Sequence, residues 1–276
     1  MKRALKWTAI VVVSIVVLAA VAVYAGSEMK LRQTFDIAAA AVTIPTDSAT
    51  LATGRHVFQT RGCEGCHGKD LVGKVFFDEP RIARLVAPNV PKAIRAYSDP
   101  ELVRLLRHGI RPSGHGVAVM PSSMFYFLDD TDLHALVAYL RTRPVVESDS
   151  ALPPTEMRML ARIGLVTGQY KLEPLNIVHD APHPPKPAEG APLGQYLAKS
   201  SCTECHGMDL KGDGTTPALS IVAGYKPEQF ATLMREGVPL DGRKMEMMTG
   251  VAKGRFSHFS DVEVAGLYAY LSTLRN

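Results

Sequence analysis

Cysteine is scarce in this sequence of 276 residues: there are four, and any thiol-based metal or redox chemistry is confined to the two short stretches that hold them. Catalytic motifs are missing as well. No Ser, His and Asp arrangement, phosphate-binding glycine loop or paired-carboxylate pattern is present to support hydrolase or kinase chemistry. Charge of one sign is in short supply, the net value being +4. Three of those charges, Lys2, Arg3 and Lys6, lie in a first 26 residues without an acid, which leaves +1 for everything beyond and excludes a nucleic-acid binder. Nor is there a convincing run of alternating strand residues. What remains is the composition of an ordinary folded protein, 46% hydrophobic and 21% charged, with apolar residues enough for cores and too little charge for disorder.

One long apolar run breaks that ordinary pattern. From Trp7 to Gly26 no side chain is charged, and as a helix rising 1.5 Å per residue the run spans roughly 30 Å, about the hydrocarbon thickness of a bilayer. The basic flank precedes it, so the positive-inside rule predicts a cytoplasmic N-terminus and an exported remainder. Cleavage as a signal peptide after Ala25 is the alternative. The run exceeds an ordinary signal core, and a retained membrane anchor is the expectation.

The remainder is internally repeated. CEGCHGKDLVG from Cys63 recurs as CTECHGMDLKG from Cys202, YSDPELVRLLRHGI from Tyr97 as YKPEQFATLMREGV from Tyr225, and LDDTDLHALVAYLRT as FSDVEVAGLYAYLST. Each block predicts a helix. Ser98 with Glu101 and Ser260 with Glu263 read as capping boxes, and Gly109 is placed for a helix C-terminus. Further helices are predicted to begin near Thr53 and Leu193 and to end at the cysteine motifs. The chain divides accordingly into an anchor (1–26), a stalk (27–45), a first module (46–146), a linker (147–190) and a second module (191–276). The linker is expected to carry a helical piece through Met157, Leu160 and Ile163 and to close on HDAPHPPKPAEGAP, an extended, semi-rigid spacer. The first module, with 13 basic and 10 acidic side chains, is more basic than the second, with nine of each.

Each cysteine pair, Cys63 with Cys66 and Cys202 with Cys205, is followed at once by a histidine, His67 and His206. Cys-x-x-Cys-His is the attachment pattern of c-type haem. On a helical turn, positions three apart face the same way, so both sulfurs can meet one porphyrin as thioethers while the histidine projects under the iron. A thioredoxin-like redox pair would need a strand-to-helix setting in a βαβ unit. A zinc site would need four ligands from two motifs brought together, and a zinc scaffold would explain neither the repeat nor the export. A disulfide inside the motif would constrain little. For the second axial ligand, Tyr97 to Met120 aligns without gaps onto Tyr225 to Met248, with Gly109 matched to Gly237, so Met120 and Met248 are equivalent. Met120 precedes Pro121, as in an axial-methionine loop. Met245 and Met247 compete with Met248, and His115 with Met120. His56, His108, His134, His179, His183 and His258 have no supporting pattern.

On CEGCH, CTECH, the VMP loop and the AYL-ending helices, the sequence resembles the class I cytochromes c over nearly all of residues 46–146 and 191–276. As a whole it resembles a membrane-anchored dihaem cytochrome c. The resemblance implies an all-α fold: an N-terminal transmembrane helix, then two tandem domains joined by a Pro-rich linker, each with its first and last helices crossing beside the haem. It implies two covalently bound haem c groups on Cys63, Cys66, Cys202 and Cys205, with His67, Met120, His206 and Met248 as axial ligands. It also implies proline carbonyls that support the proximal histidines, carried here onto Pro88 and Pro217, although the loop to Pro217 is much shorter.

Iron held between imidazole and thioether has no open position, so the expected function is a relay of single electrons between exported or membrane-bound redox partners rather than enzymatic turnover. A basic first module suits an acidic docking surface. The rival readings are an electron-transfer subunit of a larger dehydrogenase or oxidase, a dihaem cytochrome c peroxidase, whose reacting haem usually lacks a fixed methionine, and a gas sensor.

Overall fold

The computed structural model describes residues 2–147 and 151–275; residues 148–150 of the expected linker lie outside the described residues. The apolar N-terminal run forms α1, Lys2–Leu31. Among the described residues it is the one helix long and apolar enough to cross a membrane, and the rest of the chain leaves its apolar window uncovered. Because α1 continues to Leu31, the start of the expected stalk is helical. Beyond it the chain runs against the first module, where the Phe35 amide donates to Gly114 O at 2.9 Å and Arg104 donates to Ile37 O at 3.0 Å.

The first module contains α2 (Ser48–Arg61), α3 (Cys63–His67), strands β1 (Lys74–Glu79) and β2 (Ala83–Ala87), α4 (Val90–Ala93), α5 (Asp99–His108), α6 (Ser122–Phe125) and α7 (Asp130–Thr142). The connecting segment holds β3 (Glu156–Met157) and α8 (Met159–Thr167). The second module contains α9 (Gly190–Ser201), α10 (Thr203–His206), α11 (Pro227–Glu236), α12 (Glu246–Gly254) and α13 (Asp261–Leu271). The ends follow the local chemistry. Asp47 accepts from the Ala49 and Thr50 amides, both at 3.0 Å, to start α2. Capping boxes at Ser98 and Ser260 start α5 and α13, and Gly109 and Gly237 close α5 and α11 in the left-handed conformation.

In each module the first helix packs on the last, α2 on α7 and α9 on α13. A glycine makes each contact close. A Cβ on Gly54 would lie 1.9 Å from Ala135 O, and one on Gly194 would lie 1.9 Å from Gly266 O, so backbone meets backbone at both.

Two expectations need correction. No strand was legible in the sequence, yet β1, β2 and β3 form an antiparallel three-stranded sheet. A register shift between Val75 and Phe77 breaks the two-residue period, and β3 is only two residues long. The same pairing delays the linker helix. The Arg158 amide donates to Ile82 O at 2.9 Å, so Met157 belongs to β3 and α8 begins after it.

The Pro-rich segment lies along the first module, with Tyr126 Oη donating to Ala181 O at 3.1 Å and the Lys186 amide to Asp129 Oδ2 at 3.0 Å. The modules also touch directly and share one apolar cluster, which joins Val57, Phe58 and Leu136 to Tyr196, Phe256 and Phe259. Polar contacts around it follow the repeat. Tyr196 Oη donates to Asp132 Oδ2 at 2.7 Å, and His56 Nε2 lies 2.9 Å from Glu263 Oε2. Asp132 and Glu263 hold the same position in α7 and α13, and His56 and Tyr196 each follow a close-contact glycine by two residues. Arg61 joins the centre, donating to Thr60 Oγ1 and Ser200 Oγ, both at 2.9 Å. Each module therefore presents the same patch to the other, a near-twofold interface within one chain.

Candidate cofactor sites

Gly62 ends α2 at φ 70° and starts α3 in the same step. Its missing Cβ is required twice over, by the positive φ and because that atom would lie 2.4 Å from the Arg255 side chain. Beyond it, α3 carries Cys63 and Cys66 one turn apart with His67 at its end. In the second module Cys202 caps α9, and α10 carries Cys205 and His206. All four thiols are unpaired. Burial pushes Cys63 and Cys202 up to about 12 and raises Cys66 and Cys205 as well, while the Arg255 charge pulls all four the other way. Such thiols stay protonated at neutral pH, unlike the depressed thiolate of a redox pair. Among the described residues no group of three or more His, Cys, Asp and Glu gathers to hold a metal ion, which leaves the zinc reading without its ligands.

Each motif histidine has one ring nitrogen engaged. His67 Nδ1 lies 2.9 Å from Pro88 O, and His206 Nδ1 lies 2.8 Å from Pro217 O. A carbonyl can only accept, so Nδ1 carries the proton and Nε2 keeps its lone pair. Burial lowers both histidines below their ordinary range, with the carbonyl bonds opposing. A neutral imidazole with a fixed tautomer, its Nε2 unengaged among the described residues, suits an iron ligand. Two protonated thiols on one turn beside such an imidazole fit a covalently attached haem.

The methionines are placed less alike than their alignment. Met120 lies in the segment before Pro121 and α6, whereas Met248 lies in the first turn of α12. Both are partly buried against the shared apolar cluster, as is Met245, while Met247 is 76% exposed. Ser122, two residues after Met120, donates to Leu105 O at 3.1 Å; Thr249, directly after Met248, donates to Gly237 O at 2.9 Å. His115 Nδ1 lies 3.1 Å from Ser113 Oγ, on the loop that bridges to Thr34 of the stalk.

Arg255 belongs to no sequence motif, yet it sits between the two cysteine motifs. This residue donates to Glu204 Oε2 at 2.9 Å, reaches Met124 Sδ at 4.0 Å, covers Gly62 and acts electrostatically on all four cysteines. Glu204 lies inside CTECH, so this ion pair is set between the two motifs. Among the described residues, the buried Nε atoms of Arg255 and Arg61 meet no hydrogen-bond partner. Some histidines without a sequence pattern also gain a place. His56 faces Glu263 across the interface. His108 Nδ1 lies 2.9 Å from His179 Nδ1, and His183 packs edge-on against Tyr126, which docks the linker on α5 and α6. Burial, with the neighbouring His179, holds His108 down at about 4.

The cytochrome c family profile matches the chain twice, over residues 51–144 and 191–275. The fructose dehydrogenase cytochrome subunit of Gluconobacter japonicus is 25% identical over 237 residues, covering 81% of this chain and 45% of that protein. A nicotinate dehydrogenase subunit of Pseudomonas putida is 26% identical over 208 residues, 70% of this chain and 17% of that protein. Cytochrome c-554(547) of Halothiobacillus neapolitanus is 32% identical over 97 residues, 32% of this chain and all of that protein. The chain thus spans less than half the length of the first two.

Proposed function

Because the chain belongs to the cytochrome c family, with two such domains in tandem, we propose that each domain holds one haem c and that the pair relays single electrons at a membrane face. The observation that carries this reading is the duplicated donor set: two free thiols on one turn, and beside them a histidine pinned through Nδ1 to a proline carbonyl.

When bound, haem c supplies a one-electron iron couple of tunable potential. Cys63 and Cys66, and Cys202 and Cys205, would hold it through thioethers. His67 and His206 would offer Nε2 to the iron. Pro88 and Pro217 fix the rings and raise their basicity by accepting from Nδ1. Met120 and Met248 would offer a thioether donor, which favours the reduced state. The shared apolar cluster and the contacts of Arg61, His56 and Tyr196 hold the two donor sets in fixed relation, which favours transfer between them with little rearrangement.

The N-terminal helix is read as a retained anchor, with the domains on the exported side. Its residues around Ala25 support this, since Tyr24, Ser27 and Glu28 all engage Arg162 of α8, and cleavage after Ala25 would break the first of these contacts. Two of the relatives are named as dehydrogenase subunits, which favours as a second reading a permanent dehydrogenase partner that feeds electrons to this chain.

The test is a spectroelectrochemical titration of the purified full chain, with peroxide turnover measured on the same sample. Two low-spin centres of positive potential, inert to peroxide, are expected. One centre at strongly negative potential, with peroxide consumed, would contradict the Met248 assignment and favour the peroxidase reading.

A further inference from the structure

Helix α8 lies outside both repeats and carries apolar side chains that neither domain covers. Met159, Leu160, Ile163 and Val166 are 50, 52, 38 and 38% exposed. At about 100° per residue they share one side of the helix, away from buried Leu165. The helix is fixed in that orientation. The Arg162 guanidinium lies 4.1 Å from the Tyr24 ring centroid, donates to Ser27 Oγ at 2.7 Å and pairs with Glu28 Oε1 at 2.8 Å. Gly26 lets Val166 approach, since a Cβ there would touch its Cγ2 at 3.4 Å.

Every one of these α1 partners lies where the apolar run gives way to charge. That level of a membrane-crossing helix is the boundary between acyl chains and headgroups, where aromatic anchors such as Tyr24 sit and amphipathic helices bury one face. The apolar side of α8 is therefore continuous with the lipid-facing surface of α1. On the domain side, α8 directly follows β3, which pairs with β2, so its position is tied to the first domain.

We propose that α8 is a membrane-contacting helix whose Met159, Leu160, Ile163 and Val166 lie in the headgroup–acyl boundary, and that it holds the first domain at a set height and orientation above the bilayer. The inference rests on the reading of α1 as a retained anchor.

The test uses the full haem-loaded chain in phosphatidylcholine vesicles doped with a phosphatidylcholine that carries a diazirine in its acyl chain. After irradiation, adducts are mapped by mass spectrometry. The expected result is adducts on the peptide holding residues 159–166 as well as on α1. In a Leu160→Ser, Ile163→Ser variant with an unchanged visible spectrum, adducts on 159–166 should be lost and those on α1 kept. Adducts on α1 alone in the wild-type chain would overturn the proposal and leave the anchor standing, the outcome also expected if a protein partner covers this face. Adducts on neither would overturn the anchor reading itself.

Discussion

At the scale of single residues, the charge of Arg255 acts on the cysteines of both proposed haem sites, and that of Glu204 opposes it at Cys66 and Cys205. A cation near an iron centre favours the reduced form, which carries one positive charge less. Arg255→Gln would remove that cation and leave Glu204 unpaired, so we predict that both midpoint potentials fall, by roughly 20–60 mV, up to a tenfold change in a one-electron equilibrium. Glu204→Gln should raise them. Spectroelectrochemical titration of the two variants checks this; shifts of the same sign, or none, would mean that the pair only packs the interface. Cysteines and motif histidines were legible because their chemistry is written in adjacent positions. Arg255 was not, because its partners lie 51 positions away at Glu204 and 131 away at Met124, and nothing in KGRFSH marks it.

Between elements, the contact of α2 with the start of α13 has a clear pH signature. Burial alone would raise Glu263, but hydrogen bonds from His56 and the Ser260 amide, with the charges of His56 and Lys186, hold it down at about 2 against an ordinary 4.5. A carboxyl depressed in the folded state contributes stability that is fully present above pH 4.5 and is lost as the pH falls from there toward 2. Glu263→Gln should therefore cost about 2–3 kcal/mol at neutral pH and progressively less on acidification. Denaturant unfolding of both proteins at pH 7, 4 and 3 measures the difference, and a gap unchanged across that range would contradict the assignment. The helix ends at Ser98, Gly109 and Ser260 were readable because caps are local. The β1–β2 hairpin was not, because its bulge at Val75 to Phe77 removes the alternation on which a strand is recognised, and β3 acquires its conformation only by pairing with β2.

Across the whole molecule, the repeat disclosed two domains and their order, while their mutual placement stayed hidden. A Pro-rich linker suggested a spacer; in the structure it is docked through His179, His183 and Lys186, and the domains meet through equivalent patches at Asp132 with Tyr196 and Glu263 with His56. Long-range contacts of this kind leave no spacing to read. The central claim, that each of two domains covalently holds one haem, is tested most directly by the intact mass of the purified protein under denaturing conditions. We predict the mass of the polypeptide plus two haems, falling to one haem in a Cys202→Ser, Cys205→Ser variant. A wild-type mass equal to the bare chain, or lower by two hydrogens for each oxidised cysteine pair, would contradict it.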